Sequence, residues 1–148
     1  MKKILIIRMS SIGDIVLSTS FIQSVKDKFP NSEIDFLIKS EFVDIIKDHP
    51  LIDNTIVFKK KLGFKELVRL GKSLQSNNYD IIYDIHSVFR TRVLSFFLRN
   101  HLFKQIKKPR LRRFMLFYAY QNFFEKSFSH IKMYHSLLQK KDSFPKTK

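Results

Sequence analysis

The sequence predicts one α/β domain built on a parallel sheet, and three observations carry the prediction. Strand-like and helix-like stretches alternate from Lys3 to Ile85 at the spacing of βαβ units. The first apolar run, Ile4-Leu5-Ile6-Ile7, shows no polar alternation, as expected of a strand covered by helices on both faces. The 148 residues, 44% of them hydrophobic, suffice for one sizeable core and hardly for two.

Taken in order, Lys3–Arg8 forms the first strand. After the turn Ser10-Ser11-Ile12-Gly13, a helical pattern begins at Asp14. Leu17, Phe21, Val25 and Phe29 recur every fourth residue with Ile22 beside them, and Pro30-Asn31 stops the helix. Glu33–Ile38 forms a second strand, followed by a short helix over Glu41–Lys47 that His49-Pro50 closes. Asn54–Phe58 is a third strand, and Phe64–Gln75 a helix with Leu67, Leu70 and Leu74 along one side. Asp80–Ile85 is a fourth strand, Thr91–Leu98 a helix and Leu102–Ile106 a short fifth strand. Two further helices are expected, an aromatic-rich one over Phe114–Phe128 and one over His130–Gln139. The domain thus spans residues 1–139, and residues 140–148 form a polar tail.

Charge is distributed unevenly. Residues 1–84 hold 13 basic and 11 acidic side chains, whereas residues 85–148 hold 15 and 2. The second part therefore projects a positive field that attracts anionic lipid, phosphorylated glycan or nucleic acid. Within it, Lys107, Lys108, Arg110, Arg112 and Arg113 precede the aromatic stretch Phe114–Phe128. That stretch either packs its aromatic side on the sheet or lies in a membrane interface, with the five cations at anionic headgroups. No RRM, KH or zinc-finger signature accompanies the charge, so nucleic acid is not the expected partner. The absence of cysteine excludes a disulfide scaffold, a thiolate zinc site and a cysteine nucleophile together. Arg8 and Asp14 interrupt the apolar start before a signal-peptide core forms, and Phe114–Phe124 is too short to span a bilayer. A cytoplasmic location is expected.

Ligands in parallel α/β sheets bind beyond the carboxyl ends of the strands, here the turns after strands one and four. In Ser10-Ser11-Ile12-Gly13-Asp14, Gly13 permits a tight turn or a positive φ. The helix N–H groups that follow can hold an oxyanion, and Asp14 can act as a general base toward a hydroxyl within reach. Ser11 or Asp14 serves equally as an ordinary helix cap. Neither the P-loop spacing nor the Gly-x-Gly-x-x-Gly fingerprint is present. Arg8, a charge ending a buried strand, is expected to pair with a nearby carboxylate, and Asp84 to cap the fourth turn.

Residues Lys3–Thr19, centred on Arg8-Met9-Ser10-Ser11-Ile12-Gly13-Asp14, closely resemble the opening of the ADP-heptose:lipopolysaccharide heptosyltransferases, glycosyltransferase family 9. Phe29–Leu37 is similar to the family's second-strand segment, and Tyr79–Ser87 to its Tyr-Asp…Asp-Leu-Gln-Gly segment. His130–Gln139 is similar to the His-x3-Tyr-x-x-Leu-Leu segment before the family's interdomain linker. His86 and Ser87 stand where the family has Gln and Gly.

The resemblance implies a Rossmann-like parallel sheet flanked by helices, the N-terminal half of a GT-B type glycosyltransferase. It implies that this chain is the acceptor side, that residues 140–148 form a tail or start the interdomain linker, and that the donor-binding domain lies outside the chain. Transfer by the chain alone is then not expected. The implied reaction moves a sugar from a nucleotide-sugar, ADP-heptose, to a phosphorylated lipid A/Kdo-type acceptor with inversion. It uses no metal or other cofactor and takes place on the cytoplasmic face of the inner membrane. By the same match Asp14 is the catalytic base, and Ser10, Ser11 and Gly13 shape the loop facing the leaving diphosphate. His86, Ser87 and Arg90 take acceptor-side positions, and Lys60 and Lys61 lie at the rim where acceptor phosphates bind. The alternative is a non-catalytic basic module that binds anionic lipid, glycan or nucleic acid.

Overall fold

The apolar run that opens the chain lies at the middle of a five-stranded sheet. The structure, a computed structural model, describes residues 1–59, 63–99, 101–106 and 130–139. Its elements are β1 (Lys3–Ile7), α1 (Ile12–Lys28), β2 (Glu33–Lys39), a 3-10 helix (Ser40–Ile45), β3 (Asn54–Phe58) and α2 (Gly63–Ser76). They continue with β4 (Ile81–Asp84), α3 (Phe89–Phe97), β5 (Leu102–Gln105) and α4 (His130–Gln139). All strands run parallel, in the order β3-β2-β1-β4-β5.

Strand periodicity sorts the single Ile/Leu run of β1 into two cores. Ile4 and Ile6 meet Phe21, Ile22 and Val25 of α1 and Tyr134 and Leu137 of α4. Leu5 and Ile7 point the other way, to Leu67 and Leu74 of α2 and to Leu94 and Leu98 at α3. All four β1 side chains are fully buried, each a transfer gain of about 2 kcal/mol. Because β1 pairs with β2 on one edge and β4 on the other, its backbone groups are satisfied as well.

The elements differ from the sequence expectations mainly at their ends. Helix α1 starts at Ile12 rather than Asp14, which places Asp14 in the first turn; Lys26 and Lys28 occupy the last, a distribution that suits the helix dipole. Helix α3 starts at Phe89, not Thr91, because Thr91 lies in its first turn: Val88 N–H donates to Thr91 Oγ1 at 3.0 Å. The stretch Glu41–Lys47, expected as a short helix, is the 3-10 helix Ser40–Ile45, none of whose residues is buried. Phe42 and Val43 pack against the core but stay only partly buried, which gives a piece this short little to hold α geometry. Lys60, Lys61, Lys107, Lys108, Arg110, Arg112, Arg113, the aromatic stretch Phe114–Phe128 and the tail 140–148 lie outside the described residues. Among the described residues, no helix is long and apolar enough to cross a membrane.

The strand order sets the position of any site. From β1 the chain moves outward through β2 to β3, then returns to β4 on the other side of β1. The loops leaving β1 and β4 therefore part toward opposite faces, α1 on one and α3 on the other. In open parallel sheets this switch point at the carboxyl end of the strands is where ligands bind.

Candidate active site

Two loops stand side by side at this switch point, Arg8–Asp14 after β1 and Ile85–Val88 after β4, and Arg8 joins them. Arg8 is 3% exposed. Its Nη1 donates to Ile85 O at 2.6 Å, and its Nη2 forms an ion pair with Asp14 Oδ2. The guanidinium also lies 5.9 Å from the centre of the Tyr134 ring. A buried guanidinium is tolerated only when paired, and here a carbonyl, a carboxylate and an aromatic face share it. The pairing expected from the sequence is therefore present, and its partner is Asp14.

Ser11 Oγ donates to the same Asp14 oxygen at 3.2 Å. The Asp14 side chain keeps 27% exposure, so the carboxylate stands between core and solvent, held from one side by Arg8 and Ser11. Ser11 occupies the N-cap of α1 without a side-chain bond to a helix N–H. The Ser10–Ser11 peptide is cis. Gly13 departs from expectation. Because α1 begins at Ile12, Gly13 sits inside the first helical turn rather than at a bend, and an added Cβ would meet nothing within 4 Å. It leaves open space beside the helix N-terminus.

Asp84, fully buried, organises the second loop. Its Oδ1 accepts from the N–H groups of His86 at 2.9 Å and Ser87 at 2.8 Å, and its Oδ2 from Gln105 Nε2 at 2.5 Å. This is the turn-capping role read from the sequence. The turn holds Ser87 at φ 50°, in the left-handed region that favours glycine. His86 and Ser87 are themselves nearly buried, at 8% and 4% exposure.

Arg90 lies further out. It lines a cleft of about 460 Å³ with Phe58 at the end of β3, Phe64 and Leu67 of α2, and Val88 and Phe89 at the start of α3. The structure thus brings Ser10, Ser11, Gly13 and Asp14 beside His86 and Ser87 through Arg8, and sets Arg90 in the neighbouring cleft. Phe64 and Phe89 are cleft residues that sequence reasoning missed: Phe64 reads as an ordinary apolar helix position, and Phe89 falls before the helix expected at Thr91. Among the described residues, no three His, Asp or Glu side chains come together as a metal-ligand set.

No protein-family model matches the chain. Lipopolysaccharide heptosyltransferase 1 of Campylobacter coli is 32% identical over 103 residues, which is 68% of this chain and 30% of that protein. Lipooligosaccharide heptosyltransferase 2 of Haemophilus ducreyi is 32% identical over 100 residues, 66% of this chain and 28% of that protein. The chain therefore spans about 30% of the length of the curated relatives it matches. Among solved structures, the glycosyl transferase family 9 protein of Veillonella parvula superposes with a TM-score of 0.73 at 22% identity, over 93% of this chain and 41% of that one. The Escherichia coli heptosyltransferase WaaC with ADP superposes with a TM-score of 0.67 at 19% identity, over 99% of this chain and 49% of that one. At these identities the structures establish the fold, a Rossmann-like half of the GT-B type, while the sequences carry the kinship. The chain belongs to the lipopolysaccharide heptosyltransferases of glycosyltransferase family 9.

Proposed function

We propose that this chain is the acceptor-side part of an inverting heptosyltransferase of lipopolysaccharide core synthesis, with Asp14 as its general base. The observation that supports the reading is the carboxylate of Asp14, partly exposed at the β1–β4 switch point and oriented by Arg8 and Ser11. Asp14 takes the proton of an acceptor hydroxyl while that oxygen attacks the anomeric carbon of ADP-heptose from the face opposite the diphosphate. The bond from the anomeric carbon to the diphosphate oxygen breaks, and ADP departs with the bonding electrons. Ser10, Ser11 and Gly13, at the open N-terminal end of α1, offer N–H groups and dipole to the leaving diphosphate.

His86, Ser87 and Arg90, together with Lys60 and Lys61, serve the hydroxyls and phosphates of a lipid-linked saccharide acceptor. Arg90 suits phosphate through its planar, permanently charged guanidinium. Lys107, Lys108, Arg110, Arg112 and Arg113 supply positive charge that attracts the anionic inner-membrane surface, which makes the protein peripheral there on the cytoplasmic side. The donor-binding domain completes the cleft, and the nucleotide-sugar is a co-substrate; the reaction as proposed draws on no metal ion or further cofactor.

The test is an ADP-release assay on the enzyme complete with its donor-binding domain, using ADP-heptose and a Kdo–lipid A acceptor. Asp14→Asn is expected to lower turnover on the order of a thousandfold, the usual scale for loss of a general base, while acceptor affinity stays within about twofold. Turnover within a few-fold of wild type removes Asp14 from the role of base.

A further inference from the structure

Helix α3 carries an outward stripe that the chemistry above does not use. Phe89, Arg92, Phe96 and Arg99 follow one another at three- and four-residue intervals, so they fall along one side of the helix and its C-terminal turn. All four are exposed. Phe89 is 74% and Phe96 59% exposed, and Phe64, which shares the cleft with Phe89, is 63% exposed. These are large apolar areas to leave in water on one face.

The charge on the same layer is one-sided. Helices α2 and α3 and the turn at Arg99 carry Lys65, Arg69, Lys72, Arg90, Arg92 and Arg99 against Glu66 alone. Glu66 lies 3.9 Å from Arg69. Among the described residues, Arg90, Arg92 and Arg99 have no carboxylate partner, and the Arg99 guanidinium stacks 4.3 Å from the centre of the Phe96 ring. Phenyl rings that bury, alternating with unpaired cations that keep to the polar boundary, are complementary to a surface apolar beneath and anionic above. A soluble protein partner satisfies the first property without requiring the second.

We propose that the outer face of α3, from Phe89 to Arg99, docks on an anionic phospholipid bilayer, its two phenyl rings in the acyl boundary and its arginines at the headgroup phosphates. This deepens the peripheral location proposed above, and rests on it, by naming a surface built from α3 and separate in sequence from the basic residues after Ile106. It also has a geometric consequence. Phe89 belongs to both the stripe and the cleft that holds Arg90, so the cleft mouth faces the bilayer from which a lipid-anchored acceptor arrives.

The chain lacks cysteine, so one labelled cysteine reports one place. Phe96→Cys and, on α1 across the sheet, Gln23→Cys are each coupled to an environment-sensitive fluorophore in the full chain. Vesicles of phosphatidylcholine, with or without roughly a third phosphatidylglycerol to supply the negative surface potential, are then added. The expected result is a blue shift at position 96 with the anionic vesicles only, and none at position 23. In co-sedimentation, Phe96→Ser should lower the vesicle partition coefficient roughly tenfold, the scale of one buried phenyl. Arg92→Glu with Arg99→Glu should abolish binding at moderate salt. A silent label at position 96 while the protein sediments with vesicles assigns the contact to another surface and overturns the proposal. So does an absence of vesicle binding, or a label that answers to a single-stranded oligonucleotide and not to lipid. None of these outcomes alters the Asp14 transfer assay, so failure of the docking surface and failure of the catalytic reading are separately visible.

Discussion

Replacing Asp84 with alanine removes the carboxylate that shapes the loop beside Asp14. In the folded protein it accepts two backbone N–H bonds, from His86 and Ser87, and one from the Gln105 amide. The Gln105 side chain is only partly buried and can turn toward water, whereas the two backbone donors sit in residues at most 8% exposed. Each stranded donor costs about 1–3 kcal/mol, and a bond to a charged acceptor lies at the upper end. Against this, the variant is relieved of desolvating a carboxylate, and a water can take part of the vacated space. The net loss should be about 3 kcal/mol, which for a domain of this size lowers the melting temperature by roughly 6–12 °C. Asp84→Asn separates hydrogen bonding from charge. Its carbonyl oxygen can keep both backbone bonds while the Gln105 amide turns its oxygen to the new NH2, so the loss should be about 1 kcal/mol. Urea unfolding followed by circular dichroism measures both variants. An alanine variant within about 0.5 kcal/mol of wild type, below the cost of even one stranded donor, refutes the account of Asp84 as the organiser of this loop.

Tyr79 predicts a pH dependence. Its phenol donates to Asp35 Oδ2 at 2.5 Å, and burial, then the Asp35 bond, hold its pKa well above the ordinary value. A folded-state pKa raised in this way contributes stability that is full below the unfolded value near 10 and lost as pH rises from there toward the folded value. Tyr79→Phe should therefore lose less stability than wild type over that alkaline range, read as urea midpoints at stepped pH. Parallel curves would show that the phenol does not contribute.

Gly71 of α2 tests the packing of the two helices beneath the docking stripe, since an added Cβ would come 2.6 Å from Cδ2 and 2.8 Å from Cγ of Phe97. Gly71→Ala should lose about 1 kcal/mol, overpacking outweighing the better helix propensity of alanine. In a Phe97→Ala background the same change should instead stabilise by up to about 1 kcal/mol, a reversal that a double-mutant cycle detects.

What could be read from the chain alone was whatever depends on local pattern. The unbroken Ile4–Ile7 run marks a strand covered on two faces, four-residue apolar recurrence marks α1, and Ser-Ser-Ile-Gly-Asp in its strand–helix setting carries the family resemblance. Phe64 escaped because periodicity identifies an apolar helix position without saying whether anything covers it, and Phe89 because it lies before the helix that the pattern marks. Gly13 and Ser87 escaped for a related reason. The need for glycine follows from backbone angles: with α1 starting at Ile12, Gly13 lies inside the helix, and in the loop after β4 it is Ser87 that takes the positive φ.

Strand order, and with it the switch point, is a long-range property. No local signal announces that β4 returns beside β1 and not beyond β3, because strand pairing joins segments some 77 residues apart. Arg8 shows the difference within one side chain. That a buried arginine needs a carboxylate follows from the cost of an unpaired charge and could be inferred from its place at the end of β1. That it reaches both Asp14 and Ile85 O, and so locks the two loops of the site together, is decided only when the sheet closes.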